Sequence, residues 1–108
     1  MFTWEKGSTY QGEYRNGEMH GQGKWIVKDT AKNGENRVST YIGAFELGSK
    51  HGFGTLIWST GGRYDGQFSS NQRHGQGKMI YGNGMVYEGT WKQGKQHGLG
   101  KLTVREDI

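Results

Sequence analysis

Short stretches of this chain alternate between apolar and polar residues. The clearest of them carry a tyrosine, a glycine and a second aromatic residue at every other position, at 10–14, 41–45, 64–68 and 87–91. Successive side chains of a β-strand point to opposite faces, so the tyrosine, glycine and second ring of each stretch project from the same face. Each stretch therefore predicts a strand that carries its rings on one side.

A second kind of stretch follows ten residues after each of these tyrosines and begins with His-Gly-x-Gly. The residues two and four positions after its second glycine are apolar in every copy, whereas the positions between them are mixed. This alternation predicts a second strand with one apolar face, at 23–27, 54–58, 77–81 and 100–104.

The spacing of the two stretches defines a repeat. Tyr41, Tyr64 and Tyr87 are 23 residues apart, and Tyr10 lies 31 residues before Tyr41. A fixed period of this length is typical of repeat architectures. We predict one domain over 1–104, with a half repeat at 1–9, repeats at 10–40, 41–63, 64–86 and 87–104, and a charged tail at 105–108. The eight extra residues of the first repeat predict an inserted surface loop near 28–37.

Glycine and asparagine occupy equivalent turn positions between the paired strands, at Gly17, Gly48, Asn71 and Gly94. These two residue types tolerate a positive φ best, so we expect a left-handed turn position there. Hairpin then follows hairpin, which predicts an all-β fold: an elongated, twisted antiparallel meander.

Composition narrows the class of protein further. The chain has 108 residues with 21 Gly, no Pro and no Cys, and 13% of its residues are aromatic. The length fits one small domain. The absence of cysteine excludes a disulfide framework, a thiolate zinc site and a cysteine nucleophile. The longest apolar runs, such as Leu56-Ile57-Trp58, have three residues, far fewer than the ~20 that a membrane-spanning helix needs.

The sequence pattern gives little indication of a catalytic or metal-binding site. The four histidines recur one repeat apart, which places neighbours about 10 Å from each other across two strand spacings. That separation is too wide for two of them to share a metal ion. There is no repeated pair of carboxylates and no nucleophile or phosphate-loop motif. We therefore expect no enzymatic activity, no catalytic residue, no metal and no cofactor.

The two motifs together, Tyr-x-Gly-x-aromatic and His-Gly-x-Gly, resemble the MORN (membrane occupation and recognition nexus) repeat over roughly residues 1–104. The long first repeat and Asn71 depart from the family pattern. The resemblance implies a binding or scaffolding module. It also implies a cytoplasmic location, at the cytoskeleton, in a cilium or on the cytoplasmic face of a membrane, because such repeats occur in proteins of these places.

The apolar face of a single-layer sheet has no second layer to bury it, and a broad exposed apolar surface marks an interaction site. We expect this face to form a groove for a protein partner, either an amphipathic helix or an extended peptide. The predicted partner-binding residues are Tyr10, Tyr14, Trp25, Tyr41, Phe45, Trp58, Tyr64, Phe68, Tyr81, Tyr87 and Trp91.

Other functions remain open from the residues alone. Lys24, Lys78 and Lys101 follow the second glycine and predict a row of cations that could bind anionic phospholipid headgroups. The chain could also be the targeting domain of a larger enzyme. The net charge is only +4, and acidic residues are interspersed among the basic ones. We therefore expect no nucleic-acid binding. The terminal strands, near 1–4 and 101–104, offer edges for self-association.

Overall fold

The computed structural model describes residues 2–3, 7–30 and 32–104. It forms one antiparallel sheet whose nine strands lie in chain order, so the predicted meander is confirmed. The strands are β1 (Phe2–Thr3), β2 (Thr9–Arg15), β3 (Glu18–Thr30), β4 (Asn36–Glu46), β5 (Ser49–Trp58), β6 (Arg63–Ser69), β7 (Gln72–Ile80), β8 (Val86–Lys92) and β9 (Lys95–Thr103). The molecule measures 49 × 34 × 19 Å. In these ranges no helix is long and apolar enough to cross a bilayer.

A row of glycines runs across the sheet and explains how the rings pack. Strands β2 to β9 each place one glycine in register with the next, giving the row Gly12, Gly23, Gly43, Gly54, Gly66, Gly77, Gly89 and Gly100. A Cβ atom added at Gly54 would collide with the ring of Tyr41, and one added at Gly77 would collide with the ring of Tyr64. Each tyrosine ring therefore lies directly on the bare backbone of its own hairpin.

The rings form a continuous chain of edge-to-face contacts, which we call the aromatic ladder. Ring centroids are 5.0–5.4 Å apart, both within a repeat and between neighbouring repeats, as aromatic pairs prefer. The first tyrosine of each repeat also donates its hydroxyl to the carbonyl three residues later, as Tyr41 does to Ala44 at 2.7 Å. The ladder consists of Tyr10, Tyr14, Tyr41, Phe45, Tyr64, Phe68, Tyr87 and Trp91.

Tight turns close the four hairpins in the manner that the glycine and asparagine pattern predicts. Asn71 has a φ of 70°, and Gly17, Gly48 and Gly94 have φ values of 80°, 82° and 80°. The residue before each of them also has a positive φ. Two consecutive positive φ values define the turn whose twist matches paired strands. The predicted left-handed position is confirmed.

A bulge interrupts the pairing of each hairpin, and the motif pattern alone does not reveal it. Between β2 and β3 the register shifts after the Gly12–Gly23 pair, so that Tyr14 faces Met19. The other three hairpins shift at the equivalent place. The first glycine of each His-Gly-x-Gly lies in the bulge with a φ of 63–77°, which explains why glycine recurs there.

The extra residues of the first repeat do not form the loop predicted near 28–37. Strands β3 and β4 continue into this segment, where Lys28 pairs with Val38 and Thr30 with Asn36. The described residues 32–35 lie outside the strands, with Gly34 at a φ of 85°. The insertion is therefore corrected to a longer hairpin, because the residues at its two ends pair with each other across β3 and β4 instead of leaving the sheet.

The predicted terminal segments are only partly described. The half repeat at 1–9 contributes β1, which pairs with β2 and lies at one edge of the sheet. Residues 1 and 4–6 of this half repeat lie outside the described residues, as does the charged tail at 105–108. Strand β9 lies at the other edge, and all of its residues are exposed. Self-association through these edges stays a prediction.

Candidate binding face

The sheet has two faces with different chemistry. We call the face that carries the aromatic ladder the front face and the opposite one the back face. Seven of the eight ladder rings are 0–6% exposed, because the tyrosines lie on glycine backbone and each ring packs edge-to-face on its neighbours. This burial corrects the prediction that they bind a partner directly. The rings that form a buried floor are Tyr10, Tyr41, Phe45, Tyr64, Phe68, Tyr87 and Trp91.

Besides Met19, four residues pack on this floor and stay partly exposed, namely Trp25, Leu56, Trp58 and Tyr81. We call them the outer strip. Three of them belong to the predicted partner-binding set, and Leu56 joins them because it is paired with Tyr41 and Tyr64. Tyr14, at the end of the ladder, is 40% exposed. A partner that lies on the front face would therefore touch these five side chains rather than the floor.

A cleft beside Trp58 adds depth to the outer strip. Its volume is about 280 Å³, and the longer first hairpin forms one of its walls. The backbone N–H of Ser59 donates to the Val38 carbonyl at 2.8 Å, and the Val38 N–H donates to the Ser59 hydroxyl at 2.9 Å. These bonds hold the extended hairpin against the end of β5. The insertion in the first repeat thus builds one wall of this cleft.

Two cations stand on the front face at equivalent repeat positions, one residue before the histidine. The Lys50 ammonium lies 4.7 Å from the ring centroid of Trp25 and 5.6 Å from that of Tyr41. The Arg73 guanidinium lies 4.7 Å from the centroid of Trp91. Burial lowers the pKa of Lys50 because it disfavours the charged form. The front face therefore combines aromatic surface with fixed positive charge.

Sequence reasoning missed both cations, although a signal for them exists. Lys50 has the same parity as Gly54 and Leu56, so counting backward along the strand would have placed it on the front face. The equivalent positions of the first and last repeats hold Met19 and Gln96. The residue type varies between repeats, and a motif search therefore passes over this position.

The predicted lysine row lies on the back face, where acidic residues divide it. Lys78 pairs with Asp65 on one side and with Glu88 on the other, and Glu88 also pairs with Lys101. A hydrogen bond from Arg63 chiefly holds the pKa of Asp65 below its usual range. Directly opposed residues lie about 5 Å apart, so this row alternates in sign instead of forming a field of cations.

The back face also exposes large apolar residues. Phe53 is 69% exposed and Ile42 47% exposed. Ile42 pairs with Thr55, which makes Phe53 and Ile57 its diagonal neighbours on the same face. These three side chains form a patch on the hairpin of β4 and β5. The motif pattern gives no indication of this patch, because the position of Phe53 holds Gln22, Gln76 and Leu99 in the other repeats.

The histidines do not come together. His51 lies 3.3 Å from the Glu46 carboxylate of its own hairpin. In the part of the chain that the structure describes, no three histidine or acidic side chains are grouped so that they could hold a metal ion.

Comparison with known proteins agrees with the geometry of the array. The MORN repeat model matches residues 10–26, 41–63, 64–86 and 87–103. These segments include every ladder ring and every glycine of the central row. A search of curated proteins gave no match. The matched segments cover most of the chain, each as a hairpin with its tyrosine seated on two glycines, and the protein therefore belongs to the MORN repeat family.

Proposed function

We propose that this chain is a non-enzymatic interaction module that binds a partner segment across its front face. MORN repeats are in general interaction or membrane-associated modules. The observation that carries the proposal is the outer strip, which stays partly exposed on a rigid floor of buried rings. Aromatic side chains held in this way lose little conformational freedom on binding, and aromatic residues are enriched among binding hot spots.

The shape of the front face supports an elongated ligand. Trp25, Trp58 and Tyr81 come from β3, β5 and the chain just after β7, so the strip runs across strands over more than one repeat. Strands lie about 4.8 Å apart, which makes the strip about 20 Å long. This length corresponds to roughly four turns of helix or six extended residues. A helix or an extended segment of a protein partner fits that length.

The front face is a better candidate than the back face for two reasons. The back patch of Ile42, Phe53 and Ile57 is confined to one hairpin. Charges of alternating sign occupy the neighbouring back-face row around Lys78. The front face is instead continuous across the repeats, and the cleft beside Trp58 provides a pocket for an apolar anchor.

A peptide selection tests this proposal and reveals the preferred ligand sequence at the same time. The immobilised protein is used to select from a displayed library of random peptides long enough for four helical turns, and the best binders are synthesised. We expect Trp58→Ala combined with Tyr81→Ala to weaken their binding by about tenfold or more, the equivalent of about 1.4 kcal/mol. The matched control is Ile42→Ala combined with Phe53→Ala on the back face, which should change affinity less than twofold.

Direct mapping completes the test. The indole N–H signals of Trp25 and Trp58 report the outer strip, and bound peptide should shift both. If the back-face variant loses binding and the front-face variant retains it, the proposal is wrong. For the assembly that this module serves, we propose the cytoskeleton or a cilium, as the family membership suggests. A fluorescently tagged protein that stays diffuse in ciliated cells would contradict that assignment.

A further inference from the structure

We propose that the partner segment is acidic as well as apolar, and that it places two carboxylates about 10 Å apart against Lys50 and Arg73. This inference rests on the proposed function, because it names the chemistry of the ligand of the same face. It follows from the position, surroundings and spacing of the two cations.

Lys50 is held where a ligand would meet it. Its ammonium lies over the rings of Trp25 and Tyr41, and it forms an ion pair with no carboxylate of the described residues. Burial lowers its pKa, so its charged form loses hydration without gaining a counter-charge. A carboxylate that approached from the front would supply that counter-charge.

Arg73 is fixed in orientation and keeps donors for a ligand. One of its terminal N–H groups donates to the Gly94 carbonyl at 2.8 Å, and its guanidinium stacks on Trp91. A guanidinium has five N–H donors, so these contacts leave others for a second acceptor. An arginine that is already ordered loses less conformational freedom when it binds a carboxylate.

The distribution of acidic residues makes the front face selective. The strand carboxylates Asp65 and Glu88, which pair with Lys78, lie on the back face. No described side chain on the front face opposes the charge of Lys50 and Arg73 with a carboxylate. Positive potential there would attract an acidic segment and disfavour a basic one.

The spacing of the two cations sets the spacing of the acidic residues. Lys50 and Arg73 occupy the same repeat position on β5 and β7, two strands apart, which is about 10 Å. A helix that lies across the strands would present carboxylates at this distance from positions i and i+7. An extended segment presents same-side carboxylates from i and i+2, about 7 Å apart, and their side chains can splay to reach the two cations. Either pattern can be read directly from selected peptides.

The experiment uses the peptide selection described above, with its composition as the first measurement. We expect selected peptides to be enriched in Asp and Glu at one of these two spacings. Lys50→Gln combined with Arg73→Gln should weaken binding about tenfold or more. The matched control, Lys78→Gln combined with Lys101→Gln, removes the same charge from the back face and should have less than a twofold effect.

A charge reversal separates recognition from a loss of folding. Lys50→Glu should lose affinity for an acidic peptide and regain it when the peptide residue opposite is changed from Glu to Lys. Recovery by the matched peptide requires a folded protein, so it supports the inference directly. If Lys50→Glu changes the affinity for acidic and basic peptides equally, Lys50 does not recognise the charge of the peptide and the inference is overturned.

The remaining outcomes distinguish the two proposals. Selected peptides that lack acidic residues but still need Trp58 and Tyr81 would overturn this inference and leave the proposed function standing. Failure to select any peptide would overturn both. Vesicles of phosphatidylcholine with phosphatidylserine test a lipid source of the anion. Binding to them that depends on Lys50 and Arg73, without acidic enrichment among the peptides, would also overturn the inference.

Discussion

Tyr41 and Trp58 project from the same face of the sheet, yet the structure gives them opposite roles. Tyr41 is 1% exposed, lies on two glycines and donates its hydroxyl to a backbone carbonyl. Trp58 stays partly exposed at the end of its strand, with a cleft beside it. The aromatic ladder and the outer strip are therefore two regions of one face, and the first supports the second.

This difference shows that the burial of a ring depends as much on what lies beneath it as on the face from which it projects. The first tyrosine of each repeat has a glycine two residues later on its own strand and another glycine on the paired strand, so backbone is available for it to lie on. An outer-strip residue lies two or four positions after the row glycine of its own strand. It packs on the side chains of the floor instead of on bare backbone. Distance from the glycine row is not sufficient by itself, because Met79, two positions after Gly77, is 7% exposed whereas Leu56 at the equivalent position stays partly exposed.

Removing one ring from each region gives the largest predicted contrast. Tyr41→Ala should lower the free energy of unfolding by about 3–5 kcal/mol, because it empties a filled site in the middle of the ladder. Trp58→Ala should lower it by only about 1–2 kcal/mol, since part of that ring is already in water. Urea unfolding followed by circular dichroism measures both. Equal losses would contradict the division between floor and strip.

Substitution of the glycine beneath a ladder ring should lower the free energy of unfolding almost as much as removal of the ring. In Gly54→Ala the new methyl group would collide with the Tyr41 ring, so we expect a loss of about 3 kcal/mol from overpacking. Gly94→Ala is the control, because no atom lies within 4 Å of its Cβ position. Its positive φ alone should cost about 1 kcal/mol. A smaller loss at Gly54 than at Gly94 would show that the glycine row does not seat the rings.

Most of the fold can be predicted from the sequence, because each motif position occurs in four copies and a shared residue type is easy to recognise. The recurrence of Tyr-x-Gly-x-aromatic and His-Gly-x-Gly is sufficient for the strand order and for the turn at Asn71. The bulge is not predictable from parity, because the parity rule assumes unbroken pairing. The end of the first hairpin is also misread, since its polar residues suit a loop as well as they suit an exposed strand extension.

The candidate site is less predictable than the fold, because the sequence does not show how deeply each ring is buried. Parity places Tyr64 and Tyr81 on the same face but does not say that Tyr64 is covered by Phe68 and Trp91. Burial depends on contacts between repeats, which the sequence of one repeat does not contain. Lys50 and Arg73 are missed for a related reason, because their position has no common residue type from which a motif could be built.

Alkaline pH should weaken the ladder without changing any residue. Burial raises the pKa of Tyr41 and raises that of Tyr64 to about 12. The folded state holds these protons more tightly than the unfolded state, so this stability is fully present below about pH 10 and is lost as pH rises through the folded pKa. By about pH 11 Tyr64 alone should account for a loss of about 1 kcal/mol.

Urea midpoints at about pH 9 and about pH 11 measure this loss, and Tyr64→Phe provides the control. The variant lacks the titrating hydroxyl, so its stability should fall less between the two pH values than that of the wild-type protein. An equal fall would mean that Tyr64 does not contribute to the alkaline loss.

The smallest predicted contrast concerns two hydroxyl groups. Tyr41→Phe removes the 2.7 Å hydrogen bond to the Ala44 carbonyl beneath the ladder and should lower the free energy of unfolding by about 1 kcal/mol. Tyr81→Phe is the control, because its hydroxyl accepts a bond from the exposed Gln96 side chain, and water can replace that donor. We expect a change within about 0.5 kcal/mol there. If Tyr81→Phe proves as costly as Tyr41→Phe, the exposed hydroxyl of the outer strip stabilises the fold as much as the buried hydroxyl of the floor, and the contrast between the two regions fails.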